Sequence, residues 1–326
     1  MQEAVGAETA TRKENHMSRL KVAVIGAAGF LAGRVLPTFR ERYDLVLLDV
    51  KTTNRDGDEV EGVEVANLIV SDRDAYRAHF TGADVVVHCG AARGQYPETV
   101  KPSEVEPPLD IRFQGRAHVR GDASFLLQMD NIRMAYNVYQ TCVEEGVRRV
   151  VMLSSNHCAD FYEHAIWRGE MDVISPDMPA YSDNYYGWAK GAYESLGLAF
   201  AAGELTGQKS LEVIQLRIGG PRENDADSFS ADHPTMMHRQ LGGYLSQRDQ
   251  IQLIAKSVET ENITNEHGVP FQIFYGVSNN THRFWDISNA RRVIGYKPED
   301  DSAVKFGDKV GEVLAEARRN QYPNES

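Results

Sequence analysis

Apolar and polar positions along this chain fall into alternating strand-like and helix-like stretches, and that order is the first thing the sequence settles. A β-branched run at Lys21–Ile25 enters Gly26-Ala27-Ala28-Gly29 and then a stretch over Phe30–Arg42 with apolar residues at helical spacing, which reads as strand, glycine turn, helix. A second apolar run at 45–48 ends in Asp49, a segment of helical character covers 72–80, and 84–88 is another buried strand. Strands alternating with helices in this way predict a parallel, doubly wound α/β sheet. Within 131–145, Ile132, Ala135, Tyr136, Val138, Tyr139 and Cys142 recur at helical spacing. The next strand, 149–153, carries Ser154-Ser155-Asn156-His157 at its carboxyl end. A long helix over 186–202 then presents small residues at Gly187, Ala189, Gly191 and Ala192, which permit close packing, and precedes a strand at 211–218.

After Gly219-Gly220-Pro221 the pattern turns irregular and polar through His238, the composition of a substrate lobe grafted on a nucleotide-binding core. The expected organisation is a flexible extension over 1–19, a nucleotide-binding core over 20–217 and a mainly substrate-binding lobe over 218–326, with 271–275 and 287–294 returning to the core. Between 92 and 130 no regular element is evident, and that stretch carries Arg93, Arg112, Arg116, His118 and Arg120. Long loops of this kind are solvated surface or functional. The functional reading is a lid whose cations face an anionic substrate, since the loop leaves a strand end where ligands bind in such sheets.

Composition narrows the partners. The 326 residues are 42% hydrophobic and 25% charged, as in ordinary globular proteins. A formal net charge of -12 without a basic block excludes a nucleic-acid or anionic-membrane surface and leaves a small molecule as the partner. No apolar run approaches the roughly 18 residues of a membrane span. The three cysteines, Cys89, Cys142 and Cys158, form no CxxC pair and show no metal-ligand spacing, which points to a reducing, cytoplasmic setting and no metal site. His157 and His164 form no metal motif either.

Two constellations carry chemistry. Gly26, Gly29 and Ala32-Gly33 lie between the first strand and the first helix. A dinucleotide pyrophosphate approaches the backbone closely there, and the helix N-terminus supplies N–H donors. Asp49, about 20 residues on, stands where a carboxylate bonds the adenosine ribose hydroxyls and repels a 2'-phosphate, so NAD is the expected cofactor, with Lys51 and Arg55 nearby as opposing charges. The second constellation is Ser155 with Tyr186 and Lys190. A Tyr at i and a Lys at i+4 share a helix face, so the ammonium is expected to lower the phenol's affinity for its proton, ordinarily held to a pKa of about 10. Tyr186 then accepts a substrate hydroxyl proton while hydride leaves for the cofactor.

The strings Gly26-Ala27-Ala28-Gly29, Ser154-Ser155-Asn156-His157, Tyr186 with Lys190, and Leu216-Arg217-Ile218-Gly219 resemble the extended short-chain dehydrogenases/reductases (the NAD-dependent epimerase/dehydratase family), and within them most resemble uronate dehydrogenases, over about residues 20–300. The resemblance implies a Rossmann-type sheet with a smaller C-terminal substrate lobe and a homodimer formed through the helices near 132–145 and 187–202. It implies catalysis by Ser155, Tyr186 and Lys190, and cofactor contacts from Gly26, Ala28, Gly29, Phe30, Leu31, Asp49, Asn67, Leu68, Gly90, Ala91, Ala92 and Asn131 as well as Tyr186 and Lys190. Asn67 stands where the family's adenine-contacting Asp–Leu pair has Asp. Substrate contacts are implied for Arg93, Asn156, His157, Gly220 and Arg239, the last in the place of a carboxylate-binding arginine. Arg93, Gly220 and an insertion around 165–179 depart from the family pattern. The leading expectation is NAD-dependent oxidation of the anomeric hydroxyl of an anionic sugar, a uronic acid or sugar phosphate, to a lactone. The alternative is a nucleotide-sugar epimerase or dehydratase with tightly bound NAD, and a third reading is a non-catalytic NAD-binding protein.

Overall fold

A computed structural model describes residues 19–92, 122–207 and 211–322. Its centre is a seven-stranded sheet of β1 (Lys21–Ile25), β2 (Asp44–Asp49), β3 (Val63–Val65), β4 (Val85–His88), β5 (Arg149–Ser155), β6 (Glu212–Ile218) and β7 (Phe271–Gly276). The strand order is β3-β2-β1-β4-β5-β6-β7, and every neighbouring pair is parallel. The chain winds outward from β1 to β3, then crosses back to lay β4 on the other side of β1. A crevice therefore opens above the carboxyl ends of β1 and β4, the topological switch point where ligands bind in sheets of this kind.

The strands read as continuous apolar runs because both faces are covered. Val22 and Val24 of β1 point to one face and pack with α1 (Phe30–Arg42), α6 (Gln247–Glu259) and α7 (Ser288–Val293) through Val35, Phe39, Leu253, Ile254 and Ala290. Ala23 and Ile25 point to the other and meet α2 (Asp122–Glu145) and α4 (Tyr185–Ala201) through Ala135, Val138, Tyr139, Ala189 and Phe200. A separate small core of Ala226, Phe229, Met237, Leu241 and Val313 joins α5 (Pro234–Gly243) to α9 (Gly307–Gln321), beside the short α8 (Ser302–Lys305). A last short helix, α3 (Glu163–Trp167), lies between β5 and α4.

Several expectations are corrected. The segment 72–80 is not one helix but two 3₁₀ turns, Arg73–Ala75 and Arg77–Phe80, broken at Tyr76, whose φ of -141° leaves the helical region. Helix α2 begins at Asp122, so 122–130 belong to a helix and not to the long loop. Its first turns place Phe125, Leu126 and Met129 partly in solvent, which blurs the amphipathic stripe. Strand β3 escaped the pattern because it is a three-residue edge strand with Val65 66% exposed. Arg217 lies inside β6, and β7, α6 and α7 beyond it pack in the core layers. Among the described residues no helix is long and apolar enough to cross a membrane, and no group of three His, Cys, Asp or Glu side chains is placed to hold a metal ion. The extension over 1–18 and the basic stretch over 93–121, including Arg93, Arg112, Arg116, His118 and Arg120, lie outside the described residues.

Candidate active site

The glycine turn is built by close approach. Gly26 takes φ +77°, and a Cβ there would sit 2.5 Å from the Gly90 Cα, so the ends of β1 and β4 touch at the switch point only because both residues lack side chains. The Gly26 and Ala27 N–H groups are anchored on the Leu48 carbonyl at 2.8 and 3.1 Å. Gly29 caps α1 without a side-chain hydrogen bond, and the first turn of α1 holds no acidic residue, which leaves Phe30 and Leu31 presenting backbone N–H groups at a helix N-terminus. A cradle that a Cβ would fill, below an uncapped helix end, fits a dinucleotide pyrophosphate.

Asp49 ends β2 with its carboxylate fixed by the Ala28 N–H at 3.0 Å and the Val50 N–H at 2.7 Å, which keeps a negative charge beside the turn. Arg55 lies over the Phe30 ring at 4.1 Å, so a cation does border this corner. Asn67 is exposed and accepts from the Ile69 N–H, while Leu68 is buried and its carbonyl takes a hydrogen bond from Asn137 of α2 at 2.7 Å. The same helix holds the end of β4, where the Ala92 N–H donates to Asn131 Oδ1 at 2.7 Å and so places Gly90 and Ala91 at the crevice mouth.

At the carboxyl end of β5, Ser155 lies beside the Tyr186 hydroxyl, and Lys190 follows one turn along α4. Lys190 meets Tyr186 through the face of its ring. The ammonium donates to the Leu153 carbonyl at 3.0 Å and lies 5.7 Å from the centre of the Tyr186 ring, over its face. Burial raises the phenol's pKa above its ordinary value; the Ser155 hydroxyl pulls it down, Cys158 and Asp160 raise it further, and the Arg222 charge lowers it. Lys190 is itself pushed down from 10.5 to about 8 by burial. Behind it, Glu194 and Arg217 form a bidentate ion pair at 2.8 and 2.9 Å, joined by Ser154 and Tyr275, with both charges almost fully buried.

On the substrate side, Asn156 is buried and His157 is half-buried at the start of the 3₁₀ segment Asn156–Tyr162. The His157 and Tyr186 rings meet edge to face at 5.6 Å. Arg239 reaches the same place from α5, but its Nε donates to Glu163 at 2.7 Å and an Nη to Asp160 at 3.3 Å, so two fully buried carboxylates already engage its charge. Gly220 pairs with the lobe, its N–H on the Gly243 carbonyl at 2.6 Å, and borders the site from the end of β6. The structure thus gathers Ser155, Asn156, His157, Tyr186, Lys190 and Arg239 at one end of the sheet, while Arg93 lies outside the described residues.

The NAD(P)H-binding family matches residues 26–195, just over half of the chain and the span from the glycine turn to α4. The chain belongs to that family. Among curated relatives it is 27% identical to L-arabinose 1-dehydrogenase (NAD(P)(+)) of Haloferax volcanii, over 87% of this chain and 98% of the relative. It is 26% identical to uronate dehydrogenase of Pseudomonas syringae pv. tomato, over 87% of this chain and 83% of the relative. The crystal structure of uronate dehydrogenase from Agrobacterium tumefaciens superposes with a TM-score of 0.60 at 22% identity, covering 91% of this chain and 90% of that one, which shows the shared fold. These relatives agree with the extended short-chain dehydrogenase resemblance read from the motifs.

Several members of this site went unnoticed in the sequence. Asp160, Glu163, Asn184, Glu194 and Arg222 belong to no motif with a stated chemistry. The local signals available are the Lys190–Glu194 spacing, the three-residue spacing of His157 and Asp160, and Asn184 in the N-cap place before the Tyr186 helix.

Proposed function

We propose that this chain oxidises the anomeric hydroxyl of an anionic sugar, a uronic acid or a sugar phosphate, to the lactone with NAD as acceptor. The observation that carries the reading is the convergence of Ser155, Tyr186 and Lys190 at the end of β5, facing the crevice formed by Gly26 and Gly90. The glycine turn, the α1 N-terminus and Asp49 would hold the dinucleotide, which supplies the hydride acceptor when bound. Tyr186 Oη takes the hydroxyl proton as the carbon–oxygen double bond forms, and Ser155 Oγ orients the reacting oxygen. Lys190 contributes an ammonium, still charged at neutral pH, over the face of the tyrosine ring. His157, Asn156 and Gly220 border the sugar, with Arg239 behind them. The named relatives act on aldose-type sugars, which supports a ring hydroxyl as the reacting group.

Uronic acids, neutral aldoses and sugar phosphates incubated with NAD, followed by NADH absorbance, test this. NADH formation with a uronic acid or sugar phosphate is expected. No NADH with any sugar, together with NAD that co-purifies, overturns the reading in favour of an epimerase or dehydratase. Two finer points belong to the same proposal. A homodimer is supported by α2, where Phe125, Met129 and Tyr136 share one partly exposed stripe and Phe125 stacks on the exposed Trp188 of α4. Light scattering at micromolar concentration checks it, and a monomer rejects it. Three unpaired cysteines fit a reducing, cytoplasmic setting.

A further inference from the structure

Asp160 is a fully buried carboxylate that belongs to none of the groups assigned above to catalysis or to substrate. It lies in the 3₁₀ segment after β5 and, among the described residues, binds His157, Asn184 and Arg239. Its two oxygens face His157 Nδ1 at 2.8 and 3.0 Å, Oδ2 accepts from Asn184 Nδ2 at 2.9 Å, and Oδ1 accepts from an Arg239 Nη at 3.3 Å. Each contact matters for a different reason. Arg239 supplies the counter-charge that a buried carboxylate requires, and Glu163 steers that guanidinium from its other side at 2.7 Å. Asn184 is the N-cap of α4, and its Oδ1 accepts from the Gly187 N–H at 2.9 Å, one residue past Tyr186. The His157 carbonyl lies so close to this turn that a Cβ on Gly187 would stand 2.0 Å from it.

We propose that Asp160 is a positioning residue: it fixes the His157 tautomer and, through Asn184, the first turn of the helix that carries Tyr186. An Arg239 Nη also lies 3.4 Å from His157 Nδ1, but the two Asp160 oxygens are nearer at 2.8 and 3.0 Å and an ionised carboxylate only accepts, so the proton of a neutral His157 resides on Nδ1. Nε2 is then an acceptor, the form that takes a hydrogen bond from a sugar hydroxyl. One buried carboxylate thereby sets the distance between the imidazole that reads the sugar and the phenol that takes its proton, and the 5.6 Å edge-to-face contact of the two rings is the result. The catalytic consequence rests on the sugar-oxidation reading; the tautomer assignment does not.

The tests separate the two. Asp160→Asn keeps the shape but offers an amide that accepts at one atom only. With the sugar turned over best, kcat/KM is expected to fall about 10- to 100-fold, the scale of a misplaced reacting group. NADH affinity is expected to stay within about twofold, since none of the Asp160 hydrogen bonds described above reaches the glycine turn, Asp49 or the α1 N-terminus. Asp160→Asn should cost clearly less in a His157→Gln background than in wild type, the remaining loss passing through Asn184. Unchanged kcat/KM in Asp160→Asn, or additive losses in the double variant, overturns the proposal. If Asp160→Asn fails to fold, the ¹⁵N spectrum of the wild-type imidazoles decides, with the His157 signal assigned by its loss in His157→Gln. A neutral ring protonated at Nδ1 is expected, and one protonated at Nε2 overturns the assignment. A wild-type chain that oxidises no sugar defeats the functional reading alone, and the tautomer measurement still decides the role of Asp160.

Discussion

Replacing Lys190 with methionine is expected to abolish turnover and, at neutral pH, to stabilise the ligand-free chain. The side chain is 6% exposed, and its ammonium has the Leu153 carbonyl at 3.0 Å and the Tyr193 ring at 4.7 Å for company. Burial lowers its pKa from 10.5 to about 8, so the unfolded chain holds this proton more tightly than the folded one. The sign follows. Below about pH 8 the folded state carries the full penalty of a buried charge, and stability rises as pH climbs from about 8 toward 10.5. The gap amounts to about 3 kcal/mol. Losing the Leu153 hydrogen bond offsets about 1 kcal/mol of that, which leaves a gain of about 2 kcal/mol for Lys190→Met near pH 7. Methionine has nearly the same length and no charge to desolvate, so the cavity term is small. Denaturant unfolding of both proteins without cofactor, at pH 7 and again near pH 10, measures the effect. The advantage of the variant should shrink at the higher pH. A Lys190→Met chain less stable than wild type at pH 7, or a difference that does not move with pH, would refute the reasoning.

Other perturbations probe the rest of the site. Gly26→Ala forces a Cβ to within 2.5 Å of Gly90 at φ +77°, so NADH binding should vanish and the chain should lose at least about 1–3 kcal/mol, read by fluorescence titration and denaturant unfolding. Normal NADH affinity would show that the turn does not cradle the cofactor. Asp49→Ala removes the carboxylate held by Ala28 and Val50 while leaving Lys51 and Arg55, so the ratio of kcat/KM for NADP to that for NAD should rise about tenfold or more; an unchanged ratio places the ribose elsewhere. Glu194→Gln strands the buried Arg217 charge and should cost about 3–5 kcal/mol in unfolding free energy, a loss that a surface ion pair such as Arg168–Glu170 would not produce on Glu170→Gln.

What could be read from the sequence and what could not divide along a physical line. The sheet core was legible because strands covered on both faces leave continuous apolar runs, and the cofactor turn was legible because a positive φ and a backbone contact exclude every side chain but glycine's. The edge strand Val63–Val65 and the first turns of α2 were not, since half-exposed residues carry no clear period. The ion pairs at the site were also hidden, because their partners meet only in the fold: Arg239 and Glu163 stand 76 positions apart, Arg217 and Glu194 stand 23 apart. The Tyr186–Lys190 spacing marks the limit of this kind of reading. An i, i+4 relation fixes which face two side chains share, but not where a four-carbon stem takes its charge, and here the charge goes to the Leu153 carbonyl. The largest influences on the phenol's proton affinity are ones the spacing does not involve: burial raises it, Ser155 lowers it, and Cys158 and Asp160 raise it against the pull of Arg222. A tyrosine held this way keeps its proton in the ligand-free chain at neutral pH. Its strength as a base therefore belongs to the complex with cofactor and sugar, and the pH dependence of kcat, which reports that complex, is where the Tyr–Lys spacing acquires its chemical meaning.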